Sequence, residues 1–319
     1  MNQKQLFPVA LMSAAGLLFG SCAIRTYSIS EKTAFTPTKY DITLDSAELS
    51  EMPTNEKERL LSCAEIIIDS IKSVITENDG FSLSREYFSL NDSVMIEYLT
   101  YVPQDYVRTM VFFIGNQSRQ TSYVNYLQKL SVETGTKIYS WNYRGYGYSS
   151  GKSSFNTQFD DNQHLFSLIK CRESNKEFIV VGYSLGSVFA SKLGSNNEAD
   201  KLILLAPVSD VRDMLVHYER QIMKGFKFIF RPFIDLKVRE AYVNDISNTN
   251  EIKKFKGELL VVHSKDDDQL PYSMGKRLYK SSPSANKKMI TTKKGGHGAP
   301  MEDENWNEII KWINSGYKP

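Results

Sequence analysis

A serine, a histidine and a carboxylate together can attack an acyl carbonyl without a cofactor, and this chain offers candidates for all three. Gly182-Tyr183-Ser184-Leu185-Gly186 directly follows the apolar run Phe178-Ile179-Val180-Val181 and opens a small-residue stretch of helical character. That is the setting of a nucleophile elbow. A sharp strand-to-helix turn lifts the Ser184 hydroxyl clear of a sheet, and flanking glycines let neighbouring backbone pass close. The five-residue pattern is weak by itself, since it arises by chance in roughly one chain of this length in ten. Its place between an apolar run and a helical stretch carries the discrimination.

The base must accept the Ser184 proton, and the histidines available are His164, His217, His263 and His297. In a hydrolase built on such an elbow the chain order is serine, acid, histidine. His164 precedes the serine, His217 falls in an irregular stretch, and His263 precedes the best acid. His297, in Gly295-Gly296-His297-Gly298, is in order and on a loop flexible enough to aim it inward. The acid is sought in His263-Ser264-Lys265-Asp266-Asp267-Asp268-Gln269-Leu270-Pro271. Three adjacent carboxylates repel one another if equally buried, so one faces the histidine while its neighbours stay hydrated. Asp267 is assigned as that acid, Asp266 and Asp268 are read as solvated turn or capping groups, and Asp210 is held in reserve. The Asp-rich turn lacks the alternating spacing of a calcium loop, and no Cys or His spacing marks a metal site. No cofactor and no metal are expected.

Four apolar runs fit buried parallel strands: Val111-Phe112-Phe113-Ile114, the run before Ser184, Leu202-Ile203-Leu204-Leu205 and Leu259-Leu260-Val261-Val262. The predicted order is strand 109–114, helix 119–134, strand 137–142, helix 157–171, strand 177–183, helix 185–194 and strand 201–206. An irregular region at 208–252 follows, then strand 258–263, helix 272–281, strand 287–292 and helix 302–315. Such alternation predicts an α/β fold: a mainly parallel central sheet with helices on both faces and ligand chemistry at the strands' carboxyl ends. Upstream, 85–90 and 94–102 flank Asn91-Asp92-Ser93 and predict an antiparallel hairpin. Apolar positions at helical spacing predict an N-terminal helix over 56–76, stopped by Asp79-Gly80.

The first 21 residues read as a targeting segment. Lys4 gives a slightly basic start, Val9 to Phe19 an apolar core too short to span as a mature helix, and Gly20-Ser21-Cys22 a small-residue site. The segment resembles a bacterial lipoprotein signal, which implies cleavage before Cys22, lipidation of its thiol and a place on the membrane of the cell envelope. An ordinary signal peptide or an uncleaved anchor is the alternative, and each implies export. Residues 22–54, polar and aperiodic, are expected to be a flexible tether, and 55–319 one catalytic domain that stays active when residues 50–319 are isolated. Cys63 and Cys171 fit two separate thiols better than a disulfide. The net charge of +2 and the lack of a basic stripe argue against a nucleic-acid partner.

From about Tyr87 to Trp312 the chain resembles the α/β-hydrolase superfamily, closest in pattern to its serine-aminopeptidase-like and monoacylglycerol-lipase-like branch. Ile114-Gly115-Asn116-Gln117 stands where that branch has a His-Gly-Asn oxyanion loop. Asn142-Tyr143-Arg144-Gly145-Tyr146-Gly147-Tyr148-Ser149-Ser150-Gly151 matches its Asp-Tyr-Arg-Gly-x-Gly-x-Ser-x-Gly segment, and His263 to Pro271 its acid-bearing loop. Ile114, Asn142 and Ser264 depart from the family's histidine, aspartate and glycine. The resemblance implies a Ser184–His297–Asp267 triad, an acyl-enzyme, and an oxyanion hole made by the backbone N–H groups of Asn116 and Leu185. Tyr143-Arg144-Gly145 is read as a structural brace, with direct substrate binding by Arg144 as the alternative. Residues 208–252 lie where the fold inserts a cap. Their aromatic and basic residues, among them Tyr218, Phe226, Phe230, Tyr242, Lys227 and Arg231, suit packing onto the core, an acyl pocket with a basic rim, or a surface that meets lipid headgroups. The substrate implied is a small acyl ester or lipid-like ester or thioester. A serine peptidase and a non-catalytic binding module on the same fold are the competing readings.

Overall fold

The described residues of the computed structural model are 25–37, 73–78, 80–90, 94–173, 176–196, 199–222 and 234–315. The apolar runs become the centre of a sheet because a strand covered on both faces needs no polar alternation. Arg108–Phe113 (β5) and Lys201–Leu205 (β8) are buried at every position. Between and beside them run Thr136–Trp141 (β6), Glu177–Tyr183 (β7), Glu258–Ser264 (β10) and Lys287–Thr292 (β11). Upstream lie Arg25–Ile29 (β1), Ser73–Asn78 (β2), Phe81–Leu90 (β3) and Val94–Pro103 (β4), and within the cap region Ile234–Val238 (β9). Among the described residues the main sheet has nine strands in the order β11-β10-β8-β7-β5-β6-β4-β3-β2. It is parallel from β11 to β6, and antiparallel where β4, β3 and β2 are added at one edge.

Helices Val124–Thr134 (α1), Phe155–Arg172 (α2), Gly186–Asn196 (α3), Val211–Ile222 (α4), Asn248–Ile252 (α5), Tyr272–Ser281 (α6) and Asp303–Asn314 (α7) connect the strands. They sort into two layers: α1 packs on α7, while α2, α3, α5 and α6 pack in series. Crossovers to either side of β5 place one layer on each face, as the alternation predicts. The core between them is rich in aromatic pairs, such as Phe113 edge-on to Trp141 at 5.1 Å.

Three expectations need correction. Where a helix is predicted over 56–76, Ser73–Asn78 is a strand paired with β3, and 56–72 lies outside the described residues. Val74-Ile75-Thr76 is a β-branched run, which loses rotamer freedom in a helix and suits the open edge that β3 offers. The predicted tether, 22–54, contains β1 and a 3₁₀ turn at Glu31–Ala34, with β1 parallel to β9. That pairing joins segments some two hundred residues apart, so no local pattern announces it. The irregular region 208–252 holds α4, β9, a 3₁₀ turn at Ala241–Asp245 and α5. α4 buries Val211, Met214, Leu215 and Val216 on the core, a helical stripe hidden among polar neighbours.

The signal segment, Cys22, Cys63 and most of the cap aromatics lie outside the described residues. Cys171 is a free, exposed thiol. No described helix is long and apolar enough to cross a membrane.

Candidate active site

From β5 the chain crosses to β6 on one side and then returns to β7 on the other. The carboxyl ends of β5 and β7 therefore flank a topological switch point, where open α/β sheets leave a crevice. Ser184 directly follows β7 at that edge, with φ at +52°. Only a closely fitted turn holds a serine there. A Cβ on Gly182 would stand 2.6 Å from the Ala190 Cβ, and one on Gly186 would stand 2.2 Å from the Phe113 carbonyl oxygen. The Ser184 N–H donates to the Leu205 carbonyl at 2.9 Å, while the Ser187 hydroxyl donates to the Ser184 carbonyl at 2.6 Å. Among the described residues, the other non-glycine positions with positive φ, Gln117 at +58° and Ala206 at +44°, follow β5 and β8. Backbone strain thus collects along the edge where ligand chemistry is expected.

His297 and Asp267 meet at this edge. Asp267 Oδ2 can only accept, so the His297 Nδ1–H donates to it at 2.8 Å, and the neutral form of the ring keeps Nε2 as its acceptor. Asp267 Oδ1 accepts from the Gln269 and Leu270 N–H groups, each at 2.9 Å. Burial pushes the Asp267 carboxyl up, but hydrogen bonds from His263 and His297, the His297 charge and the Leu270 amide outweigh it. The group is held well below the usual carboxylate range. A depressed folded pKa stabilises the fold above the unfolded carboxylate value, near pH 4, and that contribution is lost as pH falls below it toward the folded value. Acid titrations followed by near-UV circular dichroism should show the wild-type protein losing stability below about pH 4 more steeply than Asp267→Asn. Equal slopes would show that the carboxylate is not stabilised by its partners.

His263, set aside by chain order as a base, is a second donor to the same carboxylate. Its Nε2 lies 3.1 Å from Asp267 Oδ2 and 3.1 Å from the Leu270 carbonyl. Both neighbours only accept, so the proton sits on Nε2 and the buried Nδ1 has no partner. The signal that could have found it is the His-x-x-x-Asp spacing, which brings a strand end over the acid turn. Asp266, read as a solvated turn or capping group, is exposed and ties two loops together. Its Oδ1 accepts from the Ser264 hydroxyl at 2.5 Å and the Gly296 N–H at 2.9 Å, tying the acid turn to the histidine loop. Those bonds hold its pKa below the ordinary value.

Opposite Ser184, the loop 114–118 is fastened by phenols. The Tyr143 hydroxyl donates to the Ile114 carbonyl at 2.8 Å, and the Gly115 N–H donates to the Tyr123 oxygen at 3.3 Å. Asn116 Oδ1 accepts from the Tyr146 hydroxyl at 2.8 Å and from the Gln117 N–H at 2.9 Å. The Ile114 carbonyl and the Asn116 side chain are thus held by hydroxyls from the loop after β6. Leu185 is buried immediately before α3, whose first N–H groups lack intrahelical acceptors. The Tyr218 hydroxyl, from α4, is pushed up by burial and by the Asp267 charge.

Asn142, where the resembled branch has an aspartate, sits against a buried ion pair. Its Nδ2 donates to Glu97 Oε2 at 2.7 Å, and Glu97 is fully buried with Arg85 Nε 3.0 Å from its other oxygen. An aspartate at 142 would set two carboxylates against each other in a solvent-free site. Asn142→Asp should therefore cost at least about 2 kcal/mol in chemical denaturation. An unchanged midpoint would mean that Glu97 does not hold its charge. Arg144 spends both forks on Asp161, at 2.6 Å each, which fits the brace reading rather than substrate binding. Asp210, the reserve acid, binds Arg277 at 2.9 Å and no histidine. His164 bonds a helix carbonyl on the surface, and His217 pairs with Gln221. Among the described residues no cluster could hold a metal ion.

A model of the serine aminopeptidase family S33 matches residues 105–251. A soluble variant of monoglyceride lipase from Saccharomyces cerevisiae superposes with a TM-score of 0.56 at 14% identity, covering 73% of this chain and 95% of that one. The esterase Pf2001 from Pyrococcus furiosus superposes at 0.57 and 14% identity, covering 73% and 91%. The chain has the α/β-hydrolase fold. Among curated proteins, the lysophosphatidylserine lipase ABHD12 of Xenopus tropicalis is 28% identical over 162 residues, 48% of this chain and 41% of that protein. The α/β-hydrolase domain-containing protein aho-3 of Caenorhabditis elegans is 24% identical over 179 residues, 56% of this chain and 48% of its own. The chain thus spans less than half the length of these relatives. In this structure Ser184 follows β7, Asp267 lies in the turn after β10, and His297 lies in the 3₁₀ turn after β11.

Proposed function

We propose that this chain is a serine hydrolase of acyl esters, of esterase, lysophospholipase or acyl-thioesterase type. The observation that carries the reading is the His297–Asp267 hydrogen bond at the same sheet edge as a serine held at positive φ. In the proposed reaction Ser184 Oγ attacks the acyl carbonyl as its proton passes to His297 Nε2. Asp267 fixes the His297 tautomer and stabilises the imidazolium. The N–H groups of Asn116 and Leu185 receive the oxyanion. His297 then gives the proton to the leaving alcohol or thiol, which departs as the tetrahedral carbon collapses to an acyl-Ser184. Water, deprotonated by His297, releases the acid and restores the serine. Neither step needs a cofactor.

Relatives named as lysophosphatidylserine and monoglyceride lipases favour a lipid-like ester. The serine aminopeptidase match supports the second reading, in which the same groups expel an amine. Turnover of p-nitrophenyl esters of graded chain length beside aminoacyl anilides separates the two. Ester cleavage rising with chain length is expected, and anilide cleavage alone would replace the first reading with the second. A binding module would turn over neither.

The proposed location is the bacterial envelope, through lipidated Cys22. Arg25 follows Cys22 by three residues, about 10 Å of extended chain, and β1 is already paired. Such an anchor would hold the folded body close to the membrane instead of at the end of a long tether, which suits an ester drawn from a lipid surface. Cys22→Ser should release the protein from the membrane fraction or block its maturation. Normal maturation with full membrane retention would refute the lipid anchor.

A further inference from the structure

Residues 30–37 run from the β1–β9 sheet to the loop that follows β5, and they are fastened along the way. Glu240 accepts from the Ser30 hydroxyl at 2.9 Å and from the Glu31 N–H at 2.7 Å. The Glu31 carboxylate accepts from the Tyr242 hydroxyl and, at 3.1 Å, from the N–H of Phe155, the first residue of α2. It thereby sets a negative charge at the positive end of an 18-residue helix. Ala34 and Phe35 are buried, and the Phe35 ring meets that of Phe155 edge-on at 4.8 Å. At the far end the Thr36 N–H donates to Asn116 Oδ1 at 2.8 Å.

That oxygen therefore receives donors from outside its own loop on two sides, Thr36 and Tyr146, besides the Gln117 amide. The side chain so fixed belongs to the residue whose N–H is the proposed oxyanion donor. A donor stabilises the developing charge only when it is aimed in advance, and losing one costs about 10²-fold to 10³-fold in kcat. Nothing in the region matched by the family model supplies the Thr36 contact, because that region begins at residue 105.

We propose that residues 30–37 form a positioning strap for the oxyanion loop, with the Thr36 N–H setting the Asn116 peptide, an inference that rests on the serine-hydrolase reading. The segment expected to be a passive tether is then part of the catalytic body. A chain cut to residues 50–319 lacks it, so on this proposal that fragment, expected from sequence to stay active, has lower kcat than the full chain.

The test keeps the full chain and removes one proton. Thr36→Pro deletes the N–H, and Phe35 before it has φ −119° and ψ 107°, close to the extended region that proline asks of its predecessor. Thr36→Ala keeps the N–H and is the control. Each variant is assayed for kcat and KM on a p-nitrophenyl ester and for affinity toward a trifluoromethyl ketone, whose adduct with Ser184 carries the oxyanion. Thr36→Pro should lower kcat and ketone affinity by a similar factor, about 10-fold to 100-fold, with KM within about twofold. Thr36→Ala should match the wild type. Wild-type kcat and ketone affinity in Thr36→Pro, or a KM rise at constant kcat, would overturn the strap. Folding is read on the same samples by circular dichroism. Should Thr36→Pro not fold, Glu31→Gln, which weakens the fastening at Phe155 and Tyr242, is judged by the same two outcomes. Loss of turnover in Ser184→Ala beside a normal Thr36→Pro would remove the strap alone, whereas an active Ser184→Ala would remove the hydrolase reading beneath it.

Discussion

Ser184→Ala is expected to lower ester turnover by roughly 10⁴-fold or more while the protein stays folded. The hydroxyl is the atom that forms the acyl bond in the proposed reaction, and no neighbouring group stands in for it. Stability should change little. The positive φ at Ser184 is imposed by close contacts at Gly182 and Gly186, and alanine meets the same backbone demand as serine. Steady-state kinetics with circular dichroism on the same preparation checks both parts. Undiminished turnover by a folded Ser184→Ala protein would sink the mechanism.

Asp267→Asn should lower kcat by about 10⁴-fold for a different reason. A carboxylate can only accept, which keeps the His297 proton on Nδ1 and Nε2 free to take the proton of Ser184. An amide can donate, and the imidazole then answers with the opposite tautomer. Asp268→Asn should leave kcat within about threefold, and Asp266→Asn within about tenfold, because an amide oxygen can still accept from Ser264 and Gly296. His263→Leu, which removes the second donor to Asp267, should fall between these extremes. If Asp266→Asn or Asp268→Asn proved the crippling change instead, the acid would be misassigned. Retained turnover in Asp267→Asn would separate the hydrogen bond from catalysis altogether.

The parts legible in the sequence are those written in short-range periodicity. Continuous apolar runs at 109–114, 177–183, 201–206 and 258–263 appear as buried strands within one or two residues of their predicted ends, because a strand covered on both faces tolerates little else. Chain order pointed to His297, which donates to Asp267, whereas Asp210, equally in order, pairs with Arg277. What stayed hidden depends on partners far away in sequence. The strand at Arg25–Ile29 exists through β9, and Thr36 acquires a task only where it meets Asn116. His263 failed as a base by the order rule, a rule silent about groups that serve the acid. The helical spacing before Asp79 misled over residues 73–76, where an open sheet edge outweighed local preference.

The claim that Ser184 is an activated nucleophile is tested most directly by treating the folded protein with a fluorophosphonate and mapping the adduct by intact-mass and peptide mass spectrometry. One adduct per chain, on Ser184, is expected, lost in Ser184→Ala and strongly slowed in Asp267→Asn. A folded protein that takes no adduct, or carries it on another serine and keeps it in Ser184→Ala, would contradict the assignment.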